Sequence, residues 1–300
     1  MNDDNNSSNN IDDWTIVKTK KKVHKGNNKH FNINNKNNKK PINLNRIIDD
    51  DDDDDDVNTY DNVIKVINAT TIELKRSKYY IKLIESIRSS ITSKSSNTSN
   101  CDDTNYVLKE IVSLGIGAFS KSPSALLQLV MTLCLTQEFL HDTNTDNKCD
   151  DQHMIKYNCI VFDPIFNDIE VLVCNKLGLA VSKENKYGKH MTTTNDDDKK
   201  SITMFFMPHC PYRLYCNLLW KNWSNLANII IYGNSFSSYG LRRMNNSSKD
   251  IDLTDCIVCM ESFIVEKTLS LEIPRNIPNE LLHFENAFND LRYLYFHILD

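Results

Sequence analysis

The sequence predicts an α/β protein with a Rossmann-like, mostly parallel sheet of about seven strands flanked by helices, behind a disordered N-terminal tail. Three observations predict it. Short apolar runs alternate with stretches whose apolar residues recur at three and four, as strands alternating with helices do. The first run ends in the glycine pair Gly115 and Gly117 and passes directly into a helix start. The fourth, Ile202 to Met207, stops at Pro208-His209-Cys210-Pro211 and gives way to Tyr212, Leu214, Tyr215, Leu218, Leu219, Trp220 and Trp223 at helical spacing.

Not all of the 300 residues belong to that domain. Residues 1–57 are Asn, Lys and Asp with scattered isoleucines, and they end in the unbroken run Asp49 to Asp56. Such a segment buries too little apolar surface to offset its ordering entropy, so it is expected to be disordered. Its lysines around Lys18-Thr19-Lys20-Lys21-Lys22 read first as a solvated linker, and second as a nuclear-import pattern. Residues 58–300 suffice for one domain, with polar insertions near 141–157 and 191–200.

The formal net charge is −5 and the pI about 5.9, so direct nucleic-acid binding is not expected. Nine cysteines, an odd count without a disulfide-like framework, fit a reducing compartment. The N-terminus lacks the apolar stretch of a secretory signal, and no apolar run is long enough to span a bilayer. Cytoplasm and nucleus are the expected locations.

Taken in order, residues 60–92 carry helical stripes at Val63, Ile64 and Ile67, then at Tyr80, Ile81, Leu83, Ile84 and Ile87. A Ser/Thr/Asn stretch, Ser89 to Asn100, should separate these helices from the sheet. Ile111 to Leu114 reads as the first strand. Ser122-Pro123 is a good helix start, and Leu126, Leu129, Val130 and Leu133 predict one buried face. Cys159 to Phe162 is the second strand, followed by helical spacing from Ile169 to Leu177. Leu179 to Val181 is a third strand, Ile202 to Met207 a fourth, and Ile229 to Tyr232 a fifth. Alternation at Leu269, Leu271 and Ile273, and at Leu291, Tyr293 and Tyr295, predicts two last strands, one an antiparallel edge.

Ligands of open parallel sheets bind beyond the carboxyl ends of the strands. Those ends supply the candidate ligand-binding residues Gly115, Gly117, Ser120, Asp163, His209, Cys210, Asn234 and Ser235. Gly115-x-Gly117-x-x-Ser120 approximates a dinucleotide fingerprint with serine at its third position, and Asp163 ends the second strand, where a carboxylate can take ribose hydroxyls. S-adenosylmethionine or another nucleotide-like molecule would fit that pattern. The competing reading is that the glycines serve only the turn and Asp163 caps a helix. Cys210-Pro211 could offer haem a thiolate ligand, or the cysteine could simply pack. No catalytic set is complete: Ser235, His209 and Asp163 lack the nucleophile-elbow pattern. No zinc knuckle is visible, and Cys256-x-x-Cys259 reads as two small side chains on a helix.

Several strings together resemble one family. They are Leu114-Gly115-x-Gly117, Gln128, Phe162-Asp163-Pro164, Phe206-Met207-Pro208-His209-Cys210-Pro211, Leu218-Leu219-Trp220-x-Asn222-Trp223, Gly233-Asn234-Ser235-Phe236 and Ala287-Phe288-Asn289-Asp290. This set is similar to the Sensitivity to Red Light Reduced family over about residues 105–298, and Asp13-Trp14-Thr15-Ile16-Val17 resembles its N-termini. The resemblance implies a regulator rather than an enzyme: plant members act in light signalling and circadian-clock input, and animal members are linked to haem biosynthesis and clock-gene expression. It implies protein partners without naming them. The alternative is an S-adenosylmethionine-dependent methyltransferase-like enzyme or a degenerate one, with Pro208 to Tyr212 where such enzymes carry a proline-rich substrate motif.

Overall fold

The structure, a computed structural model, describes residues 56–96, 106–140, 158–192, 201–245, 257, 260, 263–269 and 278–296. The tail through residue 55, the insertion at 141–157, residues 193–200 and the Cys256/Cys259 pair lie outside the described residues.

Helices α1 (Asp56–Arg76) and α2 (Lys78–Ser96) meet at Ser77, whose hydroxyl donates to Leu74 O and accepts the Tyr80 N–H. That exchange satisfies groups that a helix break leaves open. The serine-rich stretch after Ser89 does not end α2 as expected. Ser86, Ser90 and Thr92 turn their hydroxyls back onto carbonyls four residues earlier, so the helix carries them. Ile87, Ser90 and Lys94 stay buried along its inner face.

Strands β1 (Val107–Leu114), β2 (Cys159–Phe162), β3 (Ala180–Val181), β4 (Ser201–Met207), β5 (Ile229–Asn234), β6 (Ile264–Thr268) and β7 (Leu291–Phe296) form one sheet in the order 3-2-1-4-5-7-6. The first five are parallel; β7 is antiparallel to both β5 and β6. Of the final pair only β7 runs against the rest, as expected, but it lies between β5 and β6 instead of at the edge; β6, the edge strand, runs in the direction of the first five. The sixth strand also lies earlier than the expected Leu269 to Ile273, ending at Thr268, with residues 270–277 outside the described residues.

Helix α3 (Pro123–Phe139) starts where expected, with Ser122 accepting the Ala125 N–H and proline at the first position. It is not half-buried, however: every residue from Ala125 to Thr136 is inside. The hairpin of α1 and α2 lies over it as a third layer. Lys75 reaches Gln137 at 2.8 Å, Tyr80 OH donates to Cys134 O at 3.2 Å, and Arg88 pairs with Glu138. Its polar side chains are consequently spent inward, Thr132 on Ser113 at 2.9 Å and Gln128 on Ala287 O at 3.1 Å.

Helices α4 (Asp168–Lys176), α5 (Tyr212–Lys221), α6 (Phe236–Asn245) and α7 (Phe284–Phe288) complete the layers. Strand alternation sends Met204 and Phe206 into the core under α3, where Phe206 stacks on Tyr232 at 5.0 Å. It sends Phe205 and Met207 to the other face, toward buried Leu214, Tyr215 and Leu218 of α5. Beside α5 runs the loop 182–192. Asn222, fully buried, donates to His190 O at 2.6 Å and accepts the Thr192 N–H at 2.8 Å, which fastens that loop to the helix end.

His190 is buried against this anchor, and burial lowers its pKa from 6.5 to about 4, with Lys186 adding to the effect. The unfolded chain therefore takes up this proton before the native one does. Stability should fall as pH drops from 6.5 toward 4, and His190→Gln should flatten that part of a urea-midpoint-against-pH curve.

Candidate functional site

The chain runs outward from β1 through β2 to β3, then returns to place β4 on the other side of β1. This switch sets the glycine turn beside the Pro-His-Cys-Pro turn at the carboxyl edge, where open parallel sheets hold ligands. All eight candidate residues lie along that rim.

One half is built around two carboxylates. Gly115 and Gly117 adopt φ of +73° and +85°, a region that favours glycine. The Gly117 N–H donates to Asp163 Oδ2 at 2.7 Å, and the Ile165 N–H to Oδ1 at 3.0 Å. Burial pushes the Asp163 carboxyl up, while these two backbone donors pull it back down. Ser120 gives both its N–H and its hydroxyl to Glu170 Oε1 at 2.8 Å. Glu170 is fully buried and closes a capping box with Asn167 at the start of α4.

The other half is organised by Asn234. Its Oδ1 accepts the His209 N–H at 2.8 Å, and its Nδ2 donates to Cys210 O at 3.1 Å and Tyr239 OH at 2.7 Å. Its own N–H donates to Tyr215 OH at 2.8 Å, and that phenol donates in turn to Met207 O. Gly233 admits the Tyr215 ring: a Cβ there would lie 2.6 Å from the phenol oxygen. His209 holds a left-handed φ of +52°, with Nε2 3.2 Å from Ala287 O. Ser235 caps α6 by accepting the Ser238 N–H, and its hydroxyl donates to Glu266 Oε1 at 2.6 Å.

Cys210 joins the halves. Its thiol is buried, donates to Leu114 O at 3.3 Å, and burial raises its pKa. A Cβ built on Gly115 would lie 2.7 Å from Cys210 Sγ, so the space that the glycine leaves is filled by sulfur. Gly117 differs: a Cβ there would meet only Ala125 Cβ at 3.5 Å, and glycine is required for its φ alone.

The rim therefore assembles the candidates but spends them on one another. Ser235, His209 and Asp163 do not make a triad, because each turns to a different protein partner. The thiol of Cys210 faces a carbonyl and a glycine turn, which leaves no room for haem iron at the sulfur. The turn reading fits the glycines, but Asp163 does not cap the next helix: Asn167 does, and Asp163 instead ties the Ile165 N–H to the glycine turn. Glu170, Tyr215, Tyr239 and Glu266 were not anticipated. Only Glu170 had a readable signal, standing three residues after Asn167 as capping boxes require.

Comparison with known proteins now adds the family. A family model for the SRR1 domain matches residues 82–295, most of the chain. The chain belongs to the SRR1 domain family. The match begins within α2, earlier than the resemblance over 105–298 suggested. An SRR1-like protein of Mus musculus is 37% identical over 127 residues, 42% of this chain and 43% of that protein. An SRR1-like protein of Drosophila melanogaster is 27% identical over 166 residues, 55% of this chain and 49% of its length. The Arabidopsis thaliana protein Sensitivity to Red Light Reduced 1 is 27% identical over 169 residues, 56% and 53% of the two chains. The chain thus spans about half the length of these relatives. Among solved structures, a mutant of MtNAS in complex with S-adenosylmethionine aligns with 81% of this chain and 75% of its own, at 12% identity. Its TM-score of 0.30 is too low for that likeness to carry any argument.

Within this SRR1 domain the Gly115–Cys210 contact is directly testable. Gly115→Ala should cost about 1–3 kcal/mol in urea unfolding through overpacking and its left-handed φ. Adding Cys210→Ala should return part of that loss by removing the sulfur; strictly additive losses would show that the two do not touch.

Proposed function

We propose that this SRR1 domain is a regulatory protein of light-signalling or clock-input type, acting through protein partners in the cytoplasm and nucleus. The observation that carries the regulatory reading is the self-satisfied rim. Its candidate nucleophiles, Cys210 and Ser235, are bonded to Leu114 O and Glu266, and His209 faces a backbone carbonyl instead of either. Cys210 therefore has no base in hydrogen-bond reach, and the Glu266 carboxylate that Ser235 meets is also held by Ser237 and Arg292, so neither side chain has the histidine-assisted activation of a nucleophile triad. The Arabidopsis relative's name supports the light-signalling part. Free buried thiols at Cys134, Cys159, Cys174 and Cys210 support a reducing compartment.

Expression in an Arabidopsis line lacking that relative tests the proposal. Restoration of the red-light response is expected, and His209→Ala/Asn234→Ala should weaken it by dismantling the rim. Accumulation of folded protein with no restoration would sink the light-signalling role.

A second reading, binding of S-adenosylmethionine by a methyltransferase-like domain, is favoured by two observations. The order 3-2-1-4-5-7-6, with β7 turned back between β5 and β6, resembles the sheet of S-adenosylmethionine-dependent methyltransferases. Each Asp163 oxygen accepts one backbone N–H and keeps a second lone pair, which a ribose hydroxyl could use. Against it stands Cys210, which fills the cradle over Gly115. Such a cofactor, held by Gly117 and Asp163, would supply a methyl group for transfer. Calorimetric titration with S-adenosylmethionine decides: no heat with the parent rejects this reading, and heat abolished by Asp163→Ala supports it.

A further inference from the structure

A second surface, on the opposite face from α3, gathers exposed aromatic and basic side chains. Loop 182–192 lies along α5 and is fixed at three heights. Gly188, at φ +79°, packs so closely that a Cβ would lie 2.6 Å from Leu214 O. Asn217 Nδ2 donates to Tyr187 O at 2.7 Å, and Asn222 holds His190 and Thr192. Gly188 and Asn222 are buried anchors and the Asn217 contact lies at the surface; between them His190 turns inward while Lys186, Tyr187, Lys189 and Met191 turn outward.

Those side chains are apolar and basic. Tyr187, Met191, Trp220 and Trp223 are all exposed, Met191 and Trp220 by more than half, at 57% and 52%. The two tryptophans stack at 5.1 Å and 24°, and the buried Asn222 sits between them in the chain and beneath Met191's neighbours. Within Ser182–Thr192 and Tyr212–Asn228, Lys183, Lys186, Lys189, Arg213 and Lys221 are exposed against one carboxylate, Glu184. Glu110 of β1 also lies close enough to interact with Lys186, so a chain of net charge −5 presents a local excess of three positive charges around an aromatic centre.

Exposed aromatics grouped in this way mark interaction surfaces. We propose that the loop 182–192 and α5 face binds an acidic peptide segment of a partner protein, whose apolar side chains pack on Trp220, Trp223 and Met191 while its carboxylates meet Lys186, Lys189 and Lys221. Charge complementarity names the acidic half of that chemistry and the tryptophans name the apolar half. A single-stranded nucleic acid fits less well. The tryptophans spend one face each on the other at 5.1 Å, leaving fewer faces for successive bases, and the chain as a whole is acidic. The inference is independent of what the sheet rim binds.

The test is fluorescence polarisation of the full chain with a labelled peptide alternating Glu with Leu and Phe. Saturable binding is expected, weakened by salt and about tenfold weaker in Trp220→Ser/Trp223→Ser and in Lys186→Glu/Lys189→Glu/Lys221→Glu. These positions are exposed, so urea midpoints should stay near the parent's. Failure of the parent to bind, or equal binding by both variants, overturns the proposal. So does equal affinity for poly-glutamate, or tighter binding of oligo-dT. Stronger probe binding after Asp49 to Asp55 are all changed to Asn would reassign the surface to the chain's own acidic run.

Discussion

The parallel pairing of β1 with β4 is the constraint from which the rest of this molecule follows. Register places Ile111 beside Met204 and Ser113 beside Phe206, so the two strands finish level and their following turns must share one edge. Because those turns are a glycine pair and a Pro-His-Cys-Pro, a thiol meets a residue without a side chain. The contact is geometric before it is chemical. Any larger residue at position 115 collides with sulfur, and a smaller residue at 210 leaves a gap at the centre of the sheet edge.

Most of the sheet was legible because parallel strands buried on both faces read as unbroken apolar runs. β2 matched its expected bounds, and β4 and β5 differed by one or two residues at an end. The failures have identifiable causes. α2 was cut short in expectation because serine is a poor helix former in isolation, and its back-bonding depends on a tertiary setting that only the fold supplies. α3 showed a single apolar stripe, and full burial appeared only when a second helix layer covered its polar side. β6 was not anticipated because its residues are all half-covered or exposed, and alternation is faint in such a strand; the expected Leu271 and Ile273 lie outside the described residues.

The rim was legible in which residues gather there and not in how they are wired. Strand ends identified the eight rim residues without reference to contacts. Nothing in the sequence could show that Asn234 would tie His209, Cys210 and Tyr239 together, since those partners come from different elements. Likewise the tryptophans of Leu-Trp-x-Asn-Trp read as helix continuation. Only the buried Asn222 between them shows why they point outward: it fixes the loop and leaves both indoles at the surface.

The position of β7 has a bearing on how the molecule is assembled in the cell. Among the described residues β6 pairs only with β7, and β5 shares its second edge with β7 as well. Both neighbours leave the ribosome before the strand that must slot between them. Until it arrives, two sticky edges face each other without the piece that separates them, and their direct union would be a parallel mispairing. A nascent chain of this architecture thus depends on a late arrival for its closure, which makes it a natural client for chaperones that shield unpaired strands during synthesis.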